Sequence, residues 1–365
     1  MQKIHSANAA FGRTHWLLLF IHIINAAQLS GSLSNISSAA GGESPSAAAP
    51  DPDHTTSRQG RATISKGERK MAKNLIFRGV ATALITPLNE SGIDYNFYGK
   101  VIDWQIEEGV DALVIAATTG EGSTLTDEEH KAAISFAVQR VAGRVPVIAG
   151  TGSNHTDYAI ELSRYACDAG ADGLLVVTPY YNKCTQGGLI KTFSMIADAA
   201  TKPLILYNVP SRTGLNIEVD TYAALADHPN IAGIKEANGN ITAIADTARA
   251  VGDKLAIYSG NDDQIVPILS LGGQGVISVL ANVVPKATHE MCQRWFDGDV
   301  KGSCAMQLEY MPLIHALFSE VNPIPVKAAM AAMGWCEDYL RLPLTCMTEA
   351  KKAKLLDIMK GHGLI

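Results

Sequence analysis

Four places along the chain put reactive side chains at the end of an apolar run. In IAGIKEA (231–237) Lys235 directly follows Ile231–Ile234, and in PLILYNV (203–209) Tyr207 stands in the same kind of place. ALVIAAT (112–118) leads into Thr118, Thr119 and Gly120, and NVPSRTG (208–214) carries Arg212. An unpaired ammonium in an apolar interior is costly. Two readings of Lys235 therefore compete: the strand has ended and the lysine is solvated, or the lysine is meant to be neutral and to react. Burial lowers a lysine pKa, and a neutral amine attacks a ketone to form an imine. A phenol beside it can shuttle the protons that imine formation needs. A Thr-Thr-Gly turn presents N–H and hydroxyl donors to a carboxylate, and an arginine can hold a second one bidentately. Each feature also has a plain structural explanation. Tyr207 can be core packing, the turn an ordinary strand-to-helix turn, Arg212 a surface charge, and the tyrosines of TPYYN (178–182) an interface cluster.

What decides between these readings is the set of elements that carries them. Runs rich in Val, Ile and Leu recur at 79–87, 112–118, 146–152, 173–180, 203–209, 231–237, 255–260 and 274–280. Such runs suit parallel strands covered on both faces. Amphipathic segments lie between them. One, 126–143, opens on Thr126 with Glu129 three residues on, a capping box. Gly109, Gly143 and Gly170 stand where helices end before the next strand. Eight strand–helix units in about 220 residues give an α/β TIM (β/α)8 barrel over 71–298, followed by a C-terminal helical extension over 299–365. A doubly wound sheet is the alternative, but no GxGxxG follows the first strand. In a barrel, Ile231, Gly233 and Lys235 share one face. Pointed inward, Lys235 sits at the carboxyl end of strand six, where catalytic residues sit in this fold. Gly233 leaves space beside its stem, and Tyr207 reaches the matching level on strand five with Ile205 below it. The four signals then converge on one end of one barrel.

The 365 residues are 47% hydrophobic and carry a net charge of −6. No basic stripe with aromatics is present, which speaks against nucleic acid as a partner. Six scattered cysteines with no CxxC pair read as reduced thiols, and no histidine spacing suggests a metal site. Residues 1–70 are different in kind. They carry net +3 against −9 for the remainder. The apolar stretch WLLLFIHIINAA (16–27) is short for a bilayer span, and the Ser/Ala/Gly/Pro-rich segment after it reads as disorder. A signal peptide, an organelle transit peptide and an upstream untranslated region read as protein compete for this extension, and the signal peptide fits least well with reduced cysteines. The last would put the start at Met71, and Lys66-Gly67-Glu68 fits purine-rich codons resembling a ribosome-binding site. The expected location is the cytoplasm, or a plastid if the extension is a transit peptide, with no membrane association.

ATTGE (117–121), TPYYN (178–182), YNVPSRTG (207–214), GIKEA (233–237), GVISV (275–279) and NPIPVK (322–327) occur in this order. In them the chain resembles the dihydrodipicolinate synthase family of class I, Schiff-base pyruvate aldolases and lyases, over roughly residues 76–365. The resemblance implies condensation of pyruvate with L-aspartate 4-semialdehyde to 4-hydroxy-tetrahydrodipicolinate, in lysine and diaminopimelate biosynthesis. Lys235 would form the imine. Thr118 and Thr119 would hold the pyruvate carboxylate, with the backbones of Gly260 and Ile277 lining the same pocket. Arg212 would anchor the aldehyde's carboxylate. Tyr207, Thr119 and Tyr181 would relay protons, Tyr181 reaching in from a neighbouring subunit of a homotetramer built as a dimer of dimers. No cofactor beyond the lysine itself is implied.

Many members of the family are inhibited by L-lysine, bound at the tight dimer interface. His130, Asn154 and Tyr180 match that effector site. Tyr158 stands where sensitive enzymes carry a glutamate, Asp127 replaces a histidine and Gly122 a serine. Asp127 would compensate if it pointed inward, but at a helix start it reads as solvated. Weak or absent feedback inhibition is therefore expected. N-acetylneuraminate lyase and the 2-keto-3-deoxy sugar acid aldolases share the barrel and the imine lysine, but Arg212 within NVPSRTG favours a carboxylate-bearing aldehyde. A catalytically silent ligand-binding barrel would require damage at the imine or relay positions, and none is present.

Overall fold

The computed structural model describes residues 75–365, so the expectations for residues 1–70 and for the start at Met71 lie outside the described residues. Eight parallel strands close into a barrel. They are β1 (Gly79–Ala83), β2 (Ala112–Ile115), β3 (Val147–Gly150), β4 (Gly173–Val177), β5 (Leu204–Asn208), β6 (Ile231–Glu236), β7 (Ala256–Ser259) and β8 (Gly275–Ser278). Each pairs with its sequence neighbour, and β8 closes the ring on β1. All eight expected runs form strands. They are shorter than the runs, because the chain turns out of the sheet into the loops at the carboxyl end. Helices follow the strands: α1 (Tyr95–Glu107), α2 (Asp127–Val141), α3 (Thr156–Asp168), α4 (Gln186–Ala199), α5 (Val219–Leu225), α6 (Ile241–Val251), α7 (Ile265–Ser270) and α8 (Pro285–Phe296). Three more, α9 (Val300–Leu317), α10 (Ile324–Ala332) and α11 (Glu349–Gly361), extend the C-terminal side. No described helix is long and apolar enough to cross a membrane.

Local chemistry sets the boundaries. Thr126 accepts from the Glu129 N–H while the Glu129 carboxylate accepts from the Thr126 N–H, completing the capping box of α2. Asp94, Thr185 and Asn240 cap α1, α4 and α6 with their side chains. Gly109, Gly143 and Gly170 all take positive φ just past helix ends. One hairpin went unread in the sequence: Leu88–Asn89 pairs antiparallel with Gly92–Ile93 after β1.

Two apolar clusters divide the molecule. The outer one fills the layer between strands and helices. The inner one fills the barrel and includes Ala81, Val114, Ile148, Leu175, Ile205 and Ile277. Alternation on β6 is broken by a register irregularity. Leu204 pairs with Ile231, but Ile205 pairs with Gly233. Ile231 is therefore thrown into the outer cluster instead of sharing the inward face expected for it. Above the irregularity the expected phase is regained, and Gly233 and Lys235 match the inward Ile205 and Tyr207.

Candidate active site

The site is built on three adjacent strands at one level. Lys235 on β6 pairs with Tyr207 on β5 and with Tyr258 on β7. All three are buried, Lys235 being 5% exposed. The sequence alternative in which Lys235 is solvated past the strand end is therefore overturned: β6 runs on through Glu236. The Lys235 side-chain nitrogen lies 4.2 Å from the centre of the Tyr207 ring.

Glycine makes room for this lysine, at a position other than the one read for that purpose. A Cβ on Gly233 would come within 3.3 Å of the Tyr258 ring, so the ring occupies the space expected to lie open beside the lysine stem. At Gly260, just past β7, a Cβ would come 3.2 Å from Lys235 Cε and 2.8 Å from Ala237 Cβ. Only a residue without a side chain lets that loop pass against the reactive stem. The Gly260 N–H donates to the Glu236 carbonyl at 2.8 Å. Ile277 is wholly buried on the inner face of β8.

Tyr258 was missed, although its alternation with Ala256 placed it on the lysine's face. Its hydroxyl donates to the Phe77 carbonyl at 2.7 Å, and its ring stacks on Phe77 at 4.2 Å. Burial pushes its pKa up. Phe77 and Tyr258 thus close the barrel beneath the lysine.

The Thr118-Thr119-Gly120 turn follows β2. Thr118 is half-buried and Thr119 is 2% exposed. Thr119 Oγ1 accepts from Asn322 Nδ2 at 3.0 Å. Arg212 follows β5 in a one-turn helix, Pro210–Thr213, and donates through Nη2 to the Asn322 carbonyl at 3.0 Å. The sequence motif NPIPVK was noted only for resemblance, and the structure shows what it touches. Tyr181 behaves differently. It is 92% exposed, has a left-handed φ of 69°, and lines no part of its own chain's cavity.

A cavity of about 460 Å³ opens beside this turn, and Thr118, Tyr207 and Arg212 line it. The same cavity runs on to His130, Tyr158 and Tyr180. His130 Nε2 donates to the Gly150 carbonyl at 2.8 Å, and burial lowers its pKa. Asn154 Nδ2 donates to the Tyr180 carbonyl at 3.1 Å. Asp127 is exposed but also lines this cavity, and its carboxylate adds to burial in raising the Tyr158 pKa. A larger cavity of about 750 Å³, between Arg78, Arg249 and Trp295, lies at the opposite end of the barrel and holds none of these residues.

Two buried acids flank the lysine strand. Asp262 accepts from the Val279 and Leu280 N–H groups at 3.0 and 2.9 Å, and burial raises its pKa. Glu236 accepts from Asn208, Tyr222 and the Asn238 N–H on the outer side of β6. Among the described residues, no group of three or more His, Cys, Asp or Glu is placed to hold a metal ion.

Comparison with known proteins gives one family. The model of the dihydrodipicolinate synthetase family matches residues 76–362. A 4-hydroxy-tetrahydrodipicolinate synthase of Alkaliphilus oremlandii is 53% identical over 290 residues, 80% of this chain and 100% of that protein. A dihydrodipicolinate synthase of Acinetobacter baumannii, solved in complex with pyruvate, is 42% identical with a TM-score of 0.78, covering 80% of this chain and 100% of that one. The Cyanidioschyzon merolae enzyme, solved with lysine bound, is 40% identical with a TM-score of 0.77, over 80% and 99% of the two chains.

Proposed function

The chain belongs to the dihydrodipicolinate synthetase family, and from that premise we propose that Lys235 carries its chemistry as an imine with pyruvate. The protein is a lyase, a 4-hydroxy-tetrahydrodipicolinate synthase that condenses pyruvate with L-aspartate 4-semialdehyde. The observation that supports the lysine assignment most directly is an amine buried between two tyrosines on adjacent barrel strands, with Gly260 against its stem.

The steps follow from the groups present. The neutral Lys235 amine adds to the C2 ketone of pyruvate, and loss of one water gives the imine. Removal of a C3 proton gives an enamine, and C3 then attacks the aldehyde carbon of the second substrate. The substrate's own amine displaces Lys235 from C2, which closes the ring and returns the free lysine. One water is lost overall. Tyr207 and Thr119 move the protons, and Thr118 and Thr119 hold the pyruvate carboxylate, with Gly260 and Ile277 lining the pocket. Arg212, at the cavity mouth, holds the carboxylate of the aldehyde. Tyr181 serves the site of a neighbouring subunit in a homotetramer, a role supported by its 92% exposure. We assign residues 71–298 to the catalytic barrel, residues 299–365 to its helical extension, and the protein to the cytoplasm.

Borohydride reduction in the presence of pyruvate should add a pyruvate-derived mass to the peptide containing Lys235. Lys235→Arg should lose the adduct and nearly all activity, because a guanidinium stays charged. An adduct on another lysine would overturn the assignment.

A further inference from the structure

Thr119 is a hydroxyl with one hydrogen to give and two lone pairs to offer. One lone pair is taken, since Asn322 Nδ2 donates to Thr119 Oγ1 at 3.0 Å. Both residues are buried, at 2% and 6% exposure. Asn322 Oδ1 is buried with no hydrogen-bond partner among the described residues. In this orientation the amide nitrogen faces Thr119 Oγ1, and an amide nitrogen can only donate. It follows that Thr119 does not give its own hydrogen to Asn322.

We propose that Asn322 is a positioning residue that sets the direction of the hydrogen bond at Thr119, holding the hydroxyl hydrogen free for the reacting centre. This rests on the imine reading, in which Thr119 passes protons. The division of labour within Asn322 is sharp. Its side chain fixes Thr119, while its backbone carbonyl accepts from Arg212 at 3.0 Å. Replacing the side chain alone therefore alters the proton path and leaves the arginine's support in place.

Two substitutions separate this role from packing. Asn322→Asp keeps the shape but replaces the donor with a carboxylate, which takes the Thr119 hydrogen for itself. Asn322→Ala removes the donor without adding an acceptor. The Asp variant should lose about 10²-fold in kcat and the Ala variant about tenfold. KM for L-aspartate 4-semialdehyde should change by less than about twofold in both, since the carbonyl to Arg212 remains. A packing role predicts the reverse order, because Asp is nearly isosteric with Asn. An Asp variant as active as the Ala variant, or more active, overturns the proposal.

A second measurement holds if the Asp variant does not fold. The side-chain amide signals of Asn322, in selectively labelled protein, should be protected from exchange and should lose that protection in Thr119→Val. Unprotected signals in the unaltered protein overturn the proposal as well. If pyruvate and borohydride label no lysine, the imine reading fails, and the amide signals still decide the direction of the bond.

Discussion

Lys327 Nζ lies 2.6 Å from Glu121 Oε1, and neither side chain is reached by solvent. The pair joins α10 of the C-terminal extension to the turn that carries Thr118 and Thr119. Lys327 also donates to the Thr86 carbonyl at 3.2 Å, and the second Glu121 oxygen accepts from the Arg341 N–H at 3.3 Å. Glu121 itself is held in the left-handed region at φ 55°, which a non-glycine residue adopts only when its surroundings impose it. Nearby, Arg341 grips both oxygens of Glu129 at 2.5 Å and donates to the Thr124 carbonyl. The extension thus grips the turn that carries Thr118 and Thr119 from outside the barrel.

Removing Lys327 should be severe. Lys327→Met leaves the Glu121 carboxylate buried and unpaired, a loss of about 3–5 kcal/mol in stability. Replacing both partners, as Lys327→Met with Glu121→Leu, should cost less than the single change, since no lone charge is left behind. Urea unfolding of the three proteins measures the difference. A double variant weaker than the single one would show that the ion pair itself supplies net stability.

Glu236 supplies a pH dependence. Its carboxyl is buried, and burial pushes its pKa from 4.5 up to about 7 despite the hydrogen bonds from Tyr222 and Asn208 that pull the other way. Between these two values the folded protein holds a proton that the unfolded chain releases. Stability from this group is thus greatest below about pH 4.5 and is lost as pH rises through about 7, by at most about 3 kcal/mol. Glu236→Gln should flatten this slope. Unfolding midpoints measured between about pH 5 and pH 8 would test it, and parallel slopes in the two proteins would contradict it.

L-lysine should be a weak inhibitor or none. The imidazole of His130 is committed to the Gly150 carbonyl, and Tyr158 brings a phenol where an ammonium needs a buried carboxylate. Asp127 stands beside that phenol but is exposed, so its attraction is screened. Initial rates should be unchanged at micromolar L-lysine, and Tyr158→Glu should increase sensitivity by about tenfold or more. Strong micromolar inhibition of the unaltered protein would refute this.

A protein that begins at Met71 should fold and keep full activity, since the family match starts at residue 76. Comparison of unfolding midpoint and kcat with the 365-residue chain decides it.

The barrel is legible in the chain because parallel strands buried on both faces need unbroken apolar runs, and eight such runs stand out against the amphipathic segments between them. The level of Lys235 beside Tyr207 follows from the same two-residue alternation. The alternation misleads at Ile231, because a register irregularity is a property of the pairing of two strands and leaves no mark on either alone. Tyr258 was within reach of the same reasoning. Asn322, Lys327 and Arg341 were not. They act on the site from 110 to 220 residues away in the chain, and such contacts are fixed only once the extension has packed.

The stacked rings of Phe77 and Tyr258 plug the end of the barrel where Phe77 leads into β1. Approach to Lys235 from that end is blocked, which leaves the carboxyl ends of the strands. On the proposed imine reading, pyruvate bonded to Lys235 would lie between those rings and the mouth, so the ketone would have to enter before the aldehyde.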